Sequence, residues 1–234
     1  PLTAGIMKSI LNVAPSRNLP EISSVSLRKW YKNNYALLEG PAKTIKSVYF
    51  FVDEFTNHND TEIGIKAISL LKKLGYEVKI VSHEESGRSA LSKGLLEKAK
   101  NHAEANVRIF DKLIDGNTAL IGLEPSAILG FRDEYPKIVS ADLVPAAKKL
   151  KFHAKLIDEF LGQELAIGNI KADTFISKSQ KIKLHGHCHQ KALSSLSWTQ
   201  KILSLPINYT VETIPSCCCG MAGSFGYEAE HYEV

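Results

Sequence analysis

The sequence predicts an α/β fold made of two pseudo-repeated α/β units with parallel sheets, preceded by a short N-terminal arm. Short apolar, β-branched runs alternate with stretches of helical periodicity, an order typical of parallel sheets with crossover helices. The same order of elements recurs at similar spacing in both halves of the 234 residues, which indicates an internal duplication. We place the arm at residues 1–40, the first unit at 41–140 and the second unit at 141–234.

The first unit contains a strand–helix–strand–helix–strand pattern. The predicted elements are a strand at 48–52, a helix at 61–74, a strand at 77–81, a helix at 89–113 and a strand at 119–123. Gly75 is expected to end the first of these helices. In the arm, Pro15 and Pro20 interrupt regular structure, whereas Trp30 and Tyr31 are expected to anchor it on the body.

The second unit repeats part of this order. The predicted elements are a largely helical, amphipathic stretch at 141–165, a strand at 181–184, a helix at 190–203 and a strand at 209–214. A cysteine cluster, a glycine-rich turn and another helix are expected to follow. Because strands of a parallel sheet end at one edge, loops that follow the strands are the expected ligand-binding positions.

The composition excludes several classes of protein. With 44% hydrophobic and 23% charged residues, the chain is typical of folded globular proteins and not of disordered ones. It has no uninterrupted apolar stretch long enough to span a membrane and no secretion-signal pattern, so we expect a cytoplasmic protein, free or attached to a membrane surface. The net charge of +4 comes from dispersed lysines, which argues against nucleic-acid binding.

All four cysteines lie in the second half, at positions 188, 217, 218 and 219. Clustered cysteines in a cytoplasmic chain indicate metal binding or redox chemistry. Cys188 stands within the run His185-Gly186-His187-Cys188-His189, directly after a predicted strand. Thiolates and imidazoles are the ligands that zinc, iron and iron–sulfur clusters prefer. The candidate metal-binding residues are Cys188, Cys218, Cys219, His187 and His189.

Some of these residues have other plausible roles. Cys217 is the cysteine best explained by packing, and the two histidines could orient the ligands instead of binding metal. Gly186 and Gly220 could allow the backbone to approach a bulky cofactor closely, so Gly220 and Gly223 are candidate cofactor-binding residues. A helix starting near Gly220 would stabilise a negatively charged cluster. The segment 220–226 lacks the lysine of a phosphate-binding loop.

A cysteine followed about thirty residues later by Cys218-Cys219-Gly220 resembles the cysteine-rich CCG domain. That domain occurs in tandem in iron–sulfur subunits of glycolate oxidase, anaerobic glycerol-3-phosphate dehydrogenase and heterodisulfide reductase. Over residues 10–234 the chain is most similar to the C-terminal region of FAD-linked dehydrogenases of the D-lactate and D-2-hydroxyglutarate type. The stretches that carry this resemblance are 51–57, 87–96, 124–126, 132–136, 185–193 and 218–228.

The resemblance implies a role in electron transfer. An iron–sulfur cluster of the 4Fe–4S type would be bound by Cys188, Cys218 and Cys219, with a further cysteine beyond Val234. FAD and ferredoxin-like domains would lie elsewhere in the same full-length chain. Their flavin would oxidise a D-2-hydroxyacid, and the electrons would pass through iron–sulfur centres to an electron acceptor. Without the flavin domain, the present sequence would have no dehydrogenase turnover.

The first half departs from this family pattern. Asp53 stands where the family's first cysteine is expected, and Glu85 and Ser86 stand where a cysteine pair would precede Gly87. We therefore expect no cluster in the first half. Two other functions remain open for the second half: a structural zinc site with three cysteines and one histidine, and thiol–disulfide chemistry at Cys218 and Cys219.

Overall fold

A computed structural model describes residues 2–216, 219–220 and 225–233 of the chain. The helices are α1 (Leu2–Ile10), α2 (Leu27–Asn34), α3 (Glu54–His58), α4 (Thr61–Lys73), α5 (Arg88–Ser92), α6 (Leu96–Asp111), α7 (Pro125–Ile128), α8 (Tyr135–Ile138), α9 (Val144–His153), α10 (Ile157–Ala166), α11 (Cys188–Leu193) and α12 (Leu196–Leu203). The strands are β1 (Lys46–Phe50), β2 (Tyr76–Lys79), β3 (Leu120–Gly122), β4 (Ala154–Leu156), β5 (Gln180–Leu184) and β6 (Tyr209–Thr213). The predicted α/β class is confirmed.

By its internal contacts the chain divides into two units. The larger unit is Ser23–Ile214, and the smaller unit combines Pro1–Ile22 with Pro215–Val234. The sequence-based boundaries at residues 40 and 140 concern the repeat and stay predictions. No described helix combines the length and the apolar character that crossing a bilayer requires.

In the larger unit, β1 to β4 form one parallel sheet in the order β2-β1-β3-β4. The chain moves from β1 to β2 on one side and then returns to place β3 and β4 on the other side. This reversal creates a topological switch point between β1 and β3. In open α/β sheets, ligands bind in the crevice at the carboxyl ends of the strands at such a point.

The four-stranded sheet is covered on both faces because successive strand residues point to opposite sides. Val48 and Phe50 of β1 pack with α2, α4 and α10, whereas Phe51 packs with α6 and the segment from α7 to α9. Both clusters consist of fully buried apolar side chains, which is why the sheet residues read as continuous apolar runs in the sequence. The core therefore fixes the strand ends from which the polar loops emerge.

The second, two-stranded sheet pairs β5 with β6 in parallel. Lys46 of β1 lies opposite Tyr76 of β2, and Gln180 of β5 lies opposite Tyr209 of β6. The number of residues between partners is nearly the same in both pairs, and each pair is joined by two helices, α3 and α4 or α11 and α12. This correspondence supports the predicted pseudo-repeat.

The stretch 141–165 is largely helical, as predicted, but it also contains a short strand that the sequence did not predict. After a 3₁₀ turn at Ala141–Leu143, α9 ends at His153, β4 follows, and α10 begins at Ile157. Leu120 of β3 lies opposite Ala154, and Gly122 lies opposite Leu156. Pairing and burial of these three residues override the helical periodicity of the surrounding sequence.

Two other predicted helices are each divided. The helix predicted at 89–113 is interrupted at Gly94, whose φ of +72° is incompatible with a continuous right-handed helix. The helix predicted at 190–203 is interrupted at Ser195, which caps α12 by accepting a hydrogen bond from the Ser197 amide.

The expected anchoring of Trp30 and Tyr31 is confirmed. Both lie on α2 and pack against the core face beneath it, and Leu27 of the same helix is fully buried. The Tyr31 hydroxyl donates to the Val78 carbonyl at 2.7 Å. In the smaller unit, α1 is followed by an antiparallel bridge between Val13 and Glu228.

Candidate functional site

Acidic side chains follow the two strands, β1 and β3, that flank the switch point. Asp53 and Glu54 follow β1, and Glu124 follows β3. Asp53 is nearly completely buried and caps α3, accepting hydrogen bonds from the Phe55 and Thr56 amides. Burial raises the pKa of Asp53 to about 6, against the opposing effect of the Thr56 hydrogen bonds, and the charges of Glu124 and Glu54 add to the rise.

Glu54, the next residue, closes the loop that follows β2. Its carboxylate accepts hydrogen bonds from the Ser86 amide at 3.0 Å and from the Ser86 hydroxyl at 2.7 Å. Gly87 follows with φ +74°, a conformation that favours glycine. The acidic residues after β1 are thus engaged in capping and loop closure.

Cys188 is placed at the carboxyl end of the second sheet. β5 ends at Leu184, His187 caps α11, and Cys188 is the first residue of that helix with its side chain exposed. The His187 ring accepts a hydrogen bond at Nδ1 from the His189 amide at 3.2 Å. The cysteine therefore lies after a strand end, as the sequence predicts, and is flanked in sequence by two histidines.

The structure changes the correspondence between the two halves. Asp53 caps α3 as His187 caps α11, so Glu54, and not Asp53, occupies the position equivalent to Cys188. At the other end of the repeat, Ser86 precedes Gly87 as Cys219 precedes Gly220, whose φ of +72° matches that of Gly87. The sequence comparison, which placed Asp53 opposite the cysteine, is wrong by one residue at this point.

Both imidazoles that flank Cys188 face carboxylates of the first half. His187 Nε2 lies 3.7 Å from Glu124 Oε1, and His189 Nε2 lies 3.9 Å from Glu134 Oε1. Desolvation lowers the pKa of His187, and the charge of Glu124 opposes this change. The segment that bears Cys188 is therefore seated over the crevice of the first half.

A guanidinium group completes this cluster. Arg88 Nη1 donates to Glu134 Oε1 at 2.7 Å and lies 3.4 Å from His189 Nε2. A cation so close to Nε2 disfavours metal binding by that nitrogen. Sequence reasoning did not assign Arg88, Glu124 or Glu134 to the site. The signal for them was their place in loops after strands, within stretches that carried the family resemblance.

Gln190 attaches the other side of α11 to the body. It is buried, and its Nε2 donates to Asp158 Oδ2 at 2.8 Å and to Thr199 Oγ1 at 2.7 Å. These three residues and Lys66 form the polar part of a cavity of about 410 Å³ whose other walls are mostly apolar side chains of α4, α10 and α12. Gln190 thus links the cysteine-bearing helix to α10 and α12.

Gly186 has a packing role. A Cβ atom at this position would lie 2.3 Å from Leu196 Cδ1, so the absence of a side chain lets the loop after β5 pack against α12. The interpretation of Gly186 as a point of cofactor approach is therefore replaced by close packing. At Gly220 an added Cβ would meet no atom within 4 Å. Glycine is favoured there because the backbone φ is positive.

The remaining predicted site residues belong to the C-terminal segment. Cys219 and Gly220 are described, lie in the smaller unit and are exposed. Cys217, Cys218 and Gly223 lie outside the described residues. The ligand set of Cys188, Cys218 and Cys219 therefore stays a prediction, as does the helix expected near Gly220. In the described part of this segment, 3₁₀ turns cover Phe225–Tyr227 and Ala229–His231.

One further group of potential metal ligands occurs in the smaller unit. Donor atoms of Glu228, Glu230 and His231 lie within 4.8 Å of one another. His231 Nδ1 is 2.9 Å from Glu228 Oε2, and its ring stacks on Phe225. These contacts are accounted for by a surface ion pair.

Comparison with known proteins identifies related dehydrogenases. No family model matches the chain, and no solved structure matches it. The chain is 26% identical over 229 residues to the C subunit of the anaerobic glycerol-3-phosphate dehydrogenase of Escherichia coli K12, covering 97% of this chain and 56% of that protein. It is 24% identical over 225 residues to a D-2-hydroxyglutarate dehydrogenase of Pantoea ananatis, covering 92% of this chain and 21% of that protein.

A third relative, the D-2-hydroxyglutarate dehydrogenase of Pseudomonas putida, is 27% identical over 197 residues, covering 83% of this chain and 18% of that protein. The chain thus spans a little over half the length of the glycerol-3-phosphate relative and about a fifth of the length of the hydroxyglutarate relatives. Its homologues are dehydrogenases or parts of dehydrogenases, and the alignments cover most of this chain.

Proposed function

We propose that this chain is the iron–sulfur, electron-transferring part of a larger FAD-linked dehydrogenase that oxidises a D-2-hydroxyacid. The observation that carries the proposal is the exposed Cys188 at the start of α11, after the end of β5 and flanked in sequence by two histidines, together with the Cys218-Cys219-Gly220 sequence. Dehydrogenase names among the relatives support the reaction class.

The donor set fits thiolate ligation better than imidazole ligation. Cys188 and Cys219 are both exposed. By contrast, His187 Nδ1 already accepts the His189 amide, and His189 Nε2 lies beside the Arg88 guanidinium. Cys188, Cys218 and Cys219 are therefore the proposed ligands, whereas His187 and His189 orient and tune the site.

When bound, an iron–sulfur cluster supplies one-electron chemistry whose potential depends on nearby charge and hydrogen bonding. The chain's own residues have a supporting role in this proposal. Glu124, Glu134 and Arg88 set the charge around the two imidazoles, and Gln190 ties α11 to the body. No described residue is assigned to substrate chemistry. We propose that an FAD domain of the full-length protein oxidises the substrate and that a ferredoxin-like domain takes part in electron transfer.

The test is elemental analysis and a visible spectrum of anaerobically purified protein, for the wild type and for Cys188→Ser, Cys218→Ser and Cys219→Ser. Iron with matching sulfide, present in the wild type and lost in each variant, is the expected result. Cys217→Ser is the matched control and should keep its iron. Iron that is unchanged in the three variants would overturn the proposal.

Two other results would replace the proposal. Stoichiometric zinc without a visible spectrum would indicate a structural site with three cysteines and one histidine. No metal, combined with a disulfide that titrates at Cys218 and Cys219, would indicate thiol–disulfide chemistry.

A further inference from the structure

Two carboxylates of the first half bracket the Cys188 segment. Glu124 lies opposite His187, and Glu134 lies opposite His189, at nitrogen–oxygen distances of 3.7 and 3.9 Å. The two imidazoles belong to the residues immediately before and after Cys188, and their rings lie 5.7 Å apart. Both neighbours of the cysteine are therefore within ion-pairing range of a fixed carboxylate.

Each carboxylate is held by its own contacts. Glu124 caps α7, and its Oε1 accepts from the Ser126 amide at 3.1 Å and the Ser126 hydroxyl at 2.6 Å. Glu134 Oε1 accepts from Arg88 at 2.7 Å, and both side chains of that ion pair are mostly buried. Glu134 Oε2 is buried and has no hydrogen-bond partner among the described residues.

The short helix that carries Cys188, α11, needs contacts with the rest of the protein to be stable. α11 has six residues, and a helix of this length is not stable in isolation. On its inner side Gln190 binds Asp158 and Thr199, whereas its first turn meets the body through His187 and His189. The contacts of His187 and His189 lie directly beside Cys188, so they bear on the orientation of this first turn.

We propose that Glu124 and Glu134 are positioning residues that orient the Cys188 thiol through the two flanking imidazoles. Ligands of open α/β sheets bind at the carboxyl ends of the strands at a switch point. Here Glu124, which follows β3 at that point, faces His187 in the proposed metal-binding segment of the second half. This inference deepens the proposed function because Cys188 is the proposed ligand, but the placement of the thiol can be tested without any metal.

The test uses a background in which Cys217, Cys218 and Cys219 are serine, so Cys188 is the only thiol. The rate of Cys188 alkylation by iodoacetamide is measured from about pH 6 to 10, across the ordinary range of thiol ionisation. The midpoint of this profile reports the thiol pKa, and the high-pH plateau reports accessibility of the thiolate. Glu124→Gln with Glu134→Gln should change the plateau about two- to fivefold, within the range of the net contribution of a polar contact.

Glu97→Gln on α6 is the matched control for loss of one surface carboxylate and should leave the profile unchanged. A shift of the midpoint with an unchanged plateau would mean that the two carboxylates act only through their charge, and it would overturn the positioning role. An unchanged profile would overturn it as well. The single variants Glu124→Gln and Glu134→Gln provide the same readout if the double variant folds poorly.

A double-mutant cycle then tests the route through the imidazole. If Glu134 acts through His189, the plateau should change equally in Glu134→Gln, His189→Gln and the double variant. Independent, additive effects would contradict the inference. Because this background cannot form the proposed cluster, failure here is distinct from an absence of iron in the wild type.

Discussion

Glu54 accepts two hydrogen bonds from Ser86, one from the backbone amide at 3.0 Å and one from the hydroxyl at 2.7 Å. In the repeat, Glu54 corresponds to Cys188, because each directly follows the residue that caps its helix. Ser86 corresponds to Cys219, because each directly precedes a glycine with a positive φ. The two positions that are cysteines in the second half are thus joined to each other by hydrogen bonds in the first half.

Glu54→Ala should reduce the free energy of unfolding by about 1–3 kcal/mol, because Ser86 is buried and would lose the acceptor of its amide and hydroxyl. Urea unfolding of the metal-free protein measures this change. Glu62→Ala is the control, since the Glu62 side chain is 80% exposed and pairs only with exposed Lys66, and its unfolding midpoint should match the wild type. Equal midpoints for Glu54→Ala and the wild type would show that the loop closes without Glu54.

Much of the fold could be predicted from local sequence. The runs that became β1, β2, β3, β5 and β6 were recognisable because buried parallel strands are apolar over several consecutive residues or alternate with polar ones. β4 could not be recognised, since Ala154 and Leu156 fit a helical pattern equally well and only pairing with β3 distinguishes the two. The break at Ser195 likewise depends on a local cap whose signal is a single serine.

The candidate site was predictable only in part. The placement of Cys188 after a strand followed from an apolar run and the residues next to it. The contacts of His187 with Glu124 and of His189 with Glu134 join residues that are far apart in sequence, and no local pattern specifies them. That Glu54, and not Asp53, corresponds to Cys188 follows from Asp53 being the residue that caps α3, which depends on the backbone geometry of the folded chain.

Gly186→Ala should destabilise the metal-free protein by about 1–3 kcal/mol, because the new methyl group would clash with the Leu196 side chain. Thermal or urea unfolding would detect this loss. Gly116→Ala is the matched control: an added Cβ there meets no atom within 4 Å, and its φ is not in the left-handed region. If Gly186→Ala were as stable as the control while weakening metal binding, cofactor approach and not packing would explain this glycine.

An ion pair with a buried carboxylate, at the amino ends of the strands, should contribute strongly to stability. Glu164 is 3% exposed and accepts from Lys46 at 2.5 Å, from the Tyr76 hydroxyl at 2.9 Å and from Asn169 at 2.8 Å. Glu164→Ala would leave these donors without their acceptor and should cost about 2–4 kcal/mol in unfolding free energy.

Glu212→Ala is the comparison for that variant, because Glu212 pairs with Lys183 on the surface and both side chains are about 70% exposed. Its unfolding curve in urea should nearly coincide with that of the wild type. Similar losses in both variants would contradict a special contribution from the buried network.

Asp53 should make the stability depend on pH in a direction opposite to that of an ordinary salt-bridged carboxylate. Its folded-state pKa of about 6 lies above the ordinary value of 3.8, so the folded protein binds this proton more tightly than the unfolded chain does. Its contribution to stability is therefore present below about pH 4 and is lost as the pH rises to about 6, with no further change above.

Asp53→Asn should remove this dependence. Asparagine still caps α3 through its amide oxygen but carries no charge to desolvate, so the variant should gain about 2–3 kcal/mol relative to the wild type between about pH 4 and pH 7. Urea unfolding of both proteins across this range isolates the contribution of Asp53 from that of other groups. Asp60→Asn, which changes a residue that makes no side-chain cap hydrogen bond, is the control and should parallel the wild type. A constant difference between Asp53→Asn and the wild type at all pH values would mean that the Asp53 carboxyl keeps an ordinary pKa despite its burial.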